Sequence, residues 1–196
     1  MRLWLTTRQF PFLALALVAC AALTAAAGDT AVALPSLGSS AARPLVLFAP
    51  LLVCTGLAYC LGSGLPGAEA SGSRPVARYD QALILVTVLL TVVVAYAVAV
   101  LLDAPTAHTV GRNTAFLTGL MLCVRRLAGP QVAPVAPVAW VITVMLIGNA
   151  GANGQPYPWT VVLLPPDHLP AALAATATLA LGVLAAPAAP LPHDAG

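Results

Sequence analysis

Six runs of apolar residues, separated by short polar or turn-rich stretches, divide this chain. They cover residues 10–27, 44–62, 81–102, 109–127, 132–148 and 169–189. A helix that crosses a bilayer needs about 17–25 mostly apolar residues, and five of the runs meet or approach that length. The pattern predicts an all-α protein, a polytopic transmembrane helical bundle of about six spans, with a single domain over residues 1–196. The longest connections are residues 27–43, 63–80 and 149–168. The second of these is rich in Gly, Ser and Pro and carries Glu69, Arg74, Arg78 and Asp80. The third holds Tyr157 and Trp159, aromatic residues suited to a membrane–water interface.

The fourth run is the weak one. Only twelve uncharged residues stand between Arg112 and Arg125, and at about 1.5 Å per residue they reach roughly 18 Å of a ~30 Å hydrocarbon core. Either the two arginines snorkel to opposite interfaces and lengthen the helix at both ends, or the segment is re-entrant and enclosed by protein. The arginines favour a full crossing. With six spans and a cytoplasmic N-terminus, Arg2, Arg8, Arg74, Arg78, Arg125 and Arg126 lie inside and only Arg43 and Arg112 outside, as the positive-inside rule requires. Both termini are then cytoplasmic, in a bacterial plasma membrane. The first run has a rival reading as a cleaved signal, because Leu17-Val18-Ala19-Cys20 has the form of a lipoprotein box and Ala25-Ala26-Ala27 that of an ordinary cleavage site. Apolar residues continue past Cys20, and a retained first helix is expected.

Composition strengthens the membrane reading and removes several chemistries. Charged residues are 7% of the chain and apolar ones 60%, whereas soluble domains carry roughly a quarter charged residues. Lipid must solvate most of the surface. All eight basic residues are arginine. Without lysine the chain has no P-loop residue to reach nucleotide phosphates and no Schiff-base nucleophile. The abundance of Ala, Gly, Pro and Arg points to a high-GC bacterial source. Cys20, Cys54, Cys60 and Cys123 sit in or beside apolar runs, without C-x-x-C spacing, and read as small hydrophobes. The net charge of +2 is dispersed and gives no nucleic-acid footprint.

The candidate chemistry is sparse. Asp103, His108, Arg112, Asp167 and His168 all fall at helix ends or in loops, so no span holds the buried charge that an ion-coupled carrier needs, with Asp103 at the end of the third run the nearest approach. His108 and His168 share a side, yet two loop histidines do not make a metal site, and no metal or other cofactor is expected in this chain. Ser63, between Gly62 and Gly64, has the form of an intramembrane nucleophile, but no later span offers a histidine base. The chain is therefore not expected to be an enzyme. Thr87, Thr91, Thr114, Thr118 and Gly119 suit helix packing, and Pro134 and Pro137 are expected to kink the fifth run or keep its entry extended.

One connected pattern resembles a known group. Gly111-Arg112-Asn113, Thr118-Gly119-Leu120, Arg125 to Pro130, Pro134 to Trp140, Pro158-Trp159 and Pro165-Pro166-Asp167 follow one another, with Glu69, Arg74-Pro75 and Arg78 upstream. Together they resemble the small six-span permease subunits of bacterial ABC-type exporters. The resemblance covers about residues 69–184 and rests on short motifs. It implies a permease subunit working with a separate ATP-hydrolysing subunit, which holds the ATP, and with a second membrane subunit or a second copy. It also implies that Glu69, Arg74 and Arg78 in the 63–80 connection dock the ATPase, with anchoring to anionic lipid as the competing role. Asp103, Arg112, Asn113, Arg125 and Arg126 are the residues expected to matter to the structure or the transport path. The alternatives are a non-transporting assembly, immunity or regulatory subunit and, third, an intramembrane enzyme.

Overall fold

The computed structural model describes residues 10–27, 31–33, 42–63, 76–148 and 156–185. Six α-helices make up most of this: α1 Phe10–Ala27, α2 Ala49–Gly62, α3 Val76–Leu101, α4 His108–Ala128, α5 Val135–Ile147 and α6 Leu169–Ala185. Two three-residue strands, Ala31–Ala33 and Ala42–Pro44, pair antiparallel between α1 and α2, with Val32 opposite Arg43. The sequence pattern contained no signal for this pair. A 3-10 turn, Leu45–Phe48, leads into α2, and the apolar stretch Leu45–Gly62 is continuous through both.

Among the described residues, three stretches are long and apolar enough to cross a membrane: Phe10–Ala27, Leu45–Gly62 and Arg78–Leu101. In α3 the run Thr91 to Val98 holds four Val with one Thr and one Tyr, poor helix formers in water. In a lipid environment every backbone group must be bonded within the segment, which makes a helix the available conformation for such a run.

Successive helices alternate in direction, as the contacts at their ends show. Gln81, near the start of α3, donates from Nε2 to the carbonyl of Val183 near the end of α6, at 3.1 Å. Arg125, near the end of α4, donates to the carbonyl of Leu61 at the end of α2, at 3.0 Å. Phe12 of α1 meets the ring of Tyr59 of α2 edge-on at 5.2 Å, so those two helices are antiparallel. One end of the bundle thus gathers residues 61–63, 76–81 and 125–135, and the other gathers 42–48, 102–112 and 156–168.

Helix α4 is the hub. It packs against α2, α3, α5 and α6, while α1 lies outside it on α2 and α3. Its closest contact is with α6: a Cβ built on Gly119 would come within 2.5 Å of the backbone of Thr178 and Leu179, and one on Gly182 within 2.7 Å of the Gly119 carbonyl oxygen. Only glycine lets two helices cross this tightly, the device by which membrane helices gain packing without a hydrophobic force between them. The core around the hub is built from Leu57, Ile84, Leu117, Met121, Leu122 and Val141. The outward faces of α1, α3, α5 and α6 are apolar as well, exposing Leu15, Val18, Leu89, Val93, Ile142, Leu173 and Leu181.

The expected boundaries shift in α3 and α5, while the doubtful fourth run keeps its bounds. Helix α3 starts at Val76 rather than 81, so Arg78 and Asp80 stand in its first turns and not in a loop. Helix α4 is one continuous 21-residue helix, about 31 Å long at ~1.5 Å per residue, and no turn-back interrupts it. Helix α5 has 13 residues, shorter than the run read for it. Pro134 is its N-cap and Pro137 lies in its first turn, where the missing amide hydrogen costs nothing. Pro134 and Pro137 start α5 instead of kinking it. Positions 186–189 of the sixth run lie outside the described residues.

Candidate functional site

The most polar construction in the bundle sits at the N-terminal end of α4. The 3-10 turn Pro105–Ala107 runs directly into the helix, which places Arg112 and Asn113 one turn inside it, facing the α5–α6 connection. Residues 160–164 fold inward, and Thr160, Val161, Val162 and Leu164 are buried. Their chain is irregular, with turns rather than a helix or ladder, so its carbonyls need partners from elsewhere.

Arg112 and Asn113 supply them. The Arg112 guanidinium donates from Nη1 to the Pro165 carbonyl at 2.6 Å. From Nη2 it donates to the carbonyls of Leu164 at 2.6 Å and Val161 at 3.0 Å. Asn113, 1% exposed, donates from Nδ2 to the Val162 carbonyl at 3.0 Å. Its Oδ1 accepts longer bonds of 3.4 Å from Arg112. Two adjacent side chains thus bind four of the five carbonyls from Val161 to Pro165. A planar fork with fixed donors suits this task, and a lysine in its place does not. The Thr160 hydroxyl closes the inner end by donating to the Tyr157 carbonyl at 2.7 Å. Beside this clamp lies a recess of about 250 Å³, walled by Leu47, Thr109, Leu163 and Pro166.

Aromatic residues fix the other flank of this strap, residues 160–165. Trp159 meets Trp140 of α5 edge-on at 6.1 Å and stacks with Tyr157 at 6.1 Å. Trp140 in turn contacts Phe116 of α4 at 5.5 Å. The strap is therefore held by α4 on one side and by α5 on the other.

Residues singled out from sequence fall into separate places. Arg112 and Asn113 come together in the clamp. Asp103 does not join them: it is exposed, with φ of 53°, one residue before Ala104, whose amide donates to the Ala99 carbonyl at 3.1 Å. That is a helix-terminating turn, in which Asp tolerates the left-handed conformation, so Asp103 ends α3. Arg125 binds the last turn of α2 through Leu61, and Arg126 is half-exposed next to it. Both lie in the last turn of α4, where positive charge complements the helix dipole. Arg78 is exposed on α3. Glu69 and Arg74 lie outside the described residues.

The two histidines are also apart in role. The His108 ring packs on Tyr96 at 5.4 Å, whereas His168 accepts the Ala171 amide through Nδ1 at 3.3 Å at the start of α6. Among the described residues no group of three or more His, Cys, Asp or Glu is placed to hold a metal. The Ser63 hydroxyl donates to the Cys60 carbonyl at 2.8 Å.

Sequence reasoning missed Thr160 to Leu164. The signal was present: five residues, Thr-Val-Val-Leu-Leu, too short to span and too apolar for a solvated loop. No protein-family profile, no characterised protein and no solved structure matches the chain.

Proposed function

We propose that the chain is a six-span subunit of a larger assembly in the bacterial plasma membrane, with both termini cytoplasmic, and that it serves as the permease subunit of an ABC-type exporter. ATP is hydrolysed on a separate subunit, and a second membrane subunit or a second copy completes the transport unit. The observation that carries the reading is the sorting of arginines on the alternating bundle. Arg78, Arg125 and Arg126 share the end where α2 hands over to α3, and Arg43 and Arg112 lie at the opposite end. The arginine-rich end is the cytoplasmic one by the positive-inside rule, so the 63–80 connection faces the compartment that holds ATP. The absence of lysine in the chain fits a division of labour in which the phosphate-binding loop belongs to a partner.

A second reading, a non-transporting assembly, immunity or regulatory subunit, is favoured by the packing. The buried hydroxyls of Thr24, Thr91 and Thr114 return to carbonyls of their own helices, and Arg112 is engaged by carbonyls, which leaves little polar lining for a path. Purification of the tagged chain in mild detergent, with identification of every companion, separates the two. The exporter reading expects an ATP-hydrolysing subunit in fixed ratio. A stable complex containing only other membrane proteins selects the second reading. In the exporter case Arg74→Glu combined with Arg78→Glu abolishes stimulation of the ATPase without changing topology. Undiminished stimulation removes the docking role from this connection.

A further inference from the structure

A cleft of about 190 Å³ opens between α1 and α3. Its rim is formed by Val18 and Leu90, both exposed on the apolar outer surface of their helices. Half-buried Ala21 and Val94 line its walls, and Ala95 is buried within it. Among the described residues of the wall, the hydroxyls are those of Thr24 and Thr91. Each is already committed, to the Cys20 carbonyl at 2.7 Å and to the Thr87 carbonyl at 2.9 Å. Nothing in the wall calls for a polar ligand. An apolar cavity of about 150 Å³ stays dry and takes an apolar guest, and this one is larger.

Both walls belong to stretches long and apolar enough to cross a membrane, and the mouth is continuous with their outward faces. From this geometry we infer that the cleft is a binding site for one acyl chain of a membrane lipid. It occupies residues 17–24 of α1 and 90–95 of α3, in the halves of those helices nearer the Arg112 end. The lipid it holds therefore has its headgroup on that side of the membrane. The inference rests on the membrane placement of α1 and α3 and not on the exporter reading.

The test uses the full chain in lipid nanodiscs containing a phospholipid with a photoreactive group midway along one acyl chain. Adducts on peptides covering residues 17–24 and 90–95 are expected to exceed those on the lipid-facing side of α6, at Leu173 and Leu181. Ala21→Phe fills the cleft and is expected to lower adducts there about tenfold, the change that ~1.4 kcal/mol of lost contact produces. Adducts on α6 stay constant. Val94→Phe fills the same space from the other wall and serves if the first variant folds poorly. Equal labelling of all outward faces, labelling unchanged by either filling variant, or cross-links from this cleft to a second copy would each overturn the inference.

Discussion

Helices α3 and α4 invert the ranking that hydropathy assigns them. By sequence α3 is the strongest span and α4 the weakest, flanked by Arg112 and Arg125 and interrupted by Thr, Asn and Gly. In the bundle α4 is enclosed by four neighbours while α3 turns Leu85, Leu89, Val93 and Tyr96 outward. Hydropathy measures the demand to face lipid, and it says little about centrality. A helix surrounded by other helices can carry polar groups, provided each finds a partner, and small residues there allow close crossing.

The largest break in this comparison comes from Gly119→Leu. Its side chain would drive into the α6 backbone at Thr178 and Leu179, and neither backbone can yield cheaply. We expect a loss above about 3 kcal/mol, the upper reach of overpacking, seen as failure to recover monodisperse protein. Recovery of normal protein from this variant would place α6 elsewhere.

Arg112→Ala comes next. It removes hydrogen bonds to three carbonyls of the strap, and bonds from a charged donor contribute about 1.5–3 kcal/mol. The melting temperature in detergent should fall, and a cysteine placed at Leu163 should become reactive to a water-soluble maleimide. Arg112→Lys should recover only part of the loss, because an ammonium does not fork across carbonyls. Full recovery with Lys would reduce the clamp to a simple charge effect. Asn113→Ala should cost less, about 1–2 kcal/mol, for the one buried Val162 carbonyl left unsatisfied.

On α3 the corresponding changes should be small. Thr91→Val removes a hydroxyl that serves only its own helix, and Leu89→Ala trims a side chain that faces outward. Each should shift stability by less than about 0.5 kcal/mol. A loss at Leu89 as large as that at Asn113 would mean that the outward face of α3 is covered by protein in the purified sample.

The sequence made the regular parts legible and hid the irregular one. The first run coincides with α1, and the fourth lies within one residue of α4 at each end, because apolar runs bounded by Arg, Gly or Pro leave few options. Helix α3 began earlier than its apolar run because Arg78 and Asp80 are compatible with a helix that continues past the membrane edge. The clamp was half visible. Arg112 and Asn113 stood out as polar residues flanking a span, but their partners are backbone carbonyls, and a carbonyl has no signature in a sequence. Asp103 stood out for its charge, whereas its place in the fold comes from its tolerance of positive φ.

The central proposal is that α4, although the least apolar helix, crosses the membrane fully at the centre of the bundle. Single cysteines at His108 and Ala128, both exposed at the two ends of α4, test it in a background with the four native cysteines replaced by alanine. In intact cells a membrane-impermeant maleimide should label His108→Cys, and Ala128→Cys should react only after permeabilisation. Labelling of both from the same side would make α4 re-entrant and contradict the account.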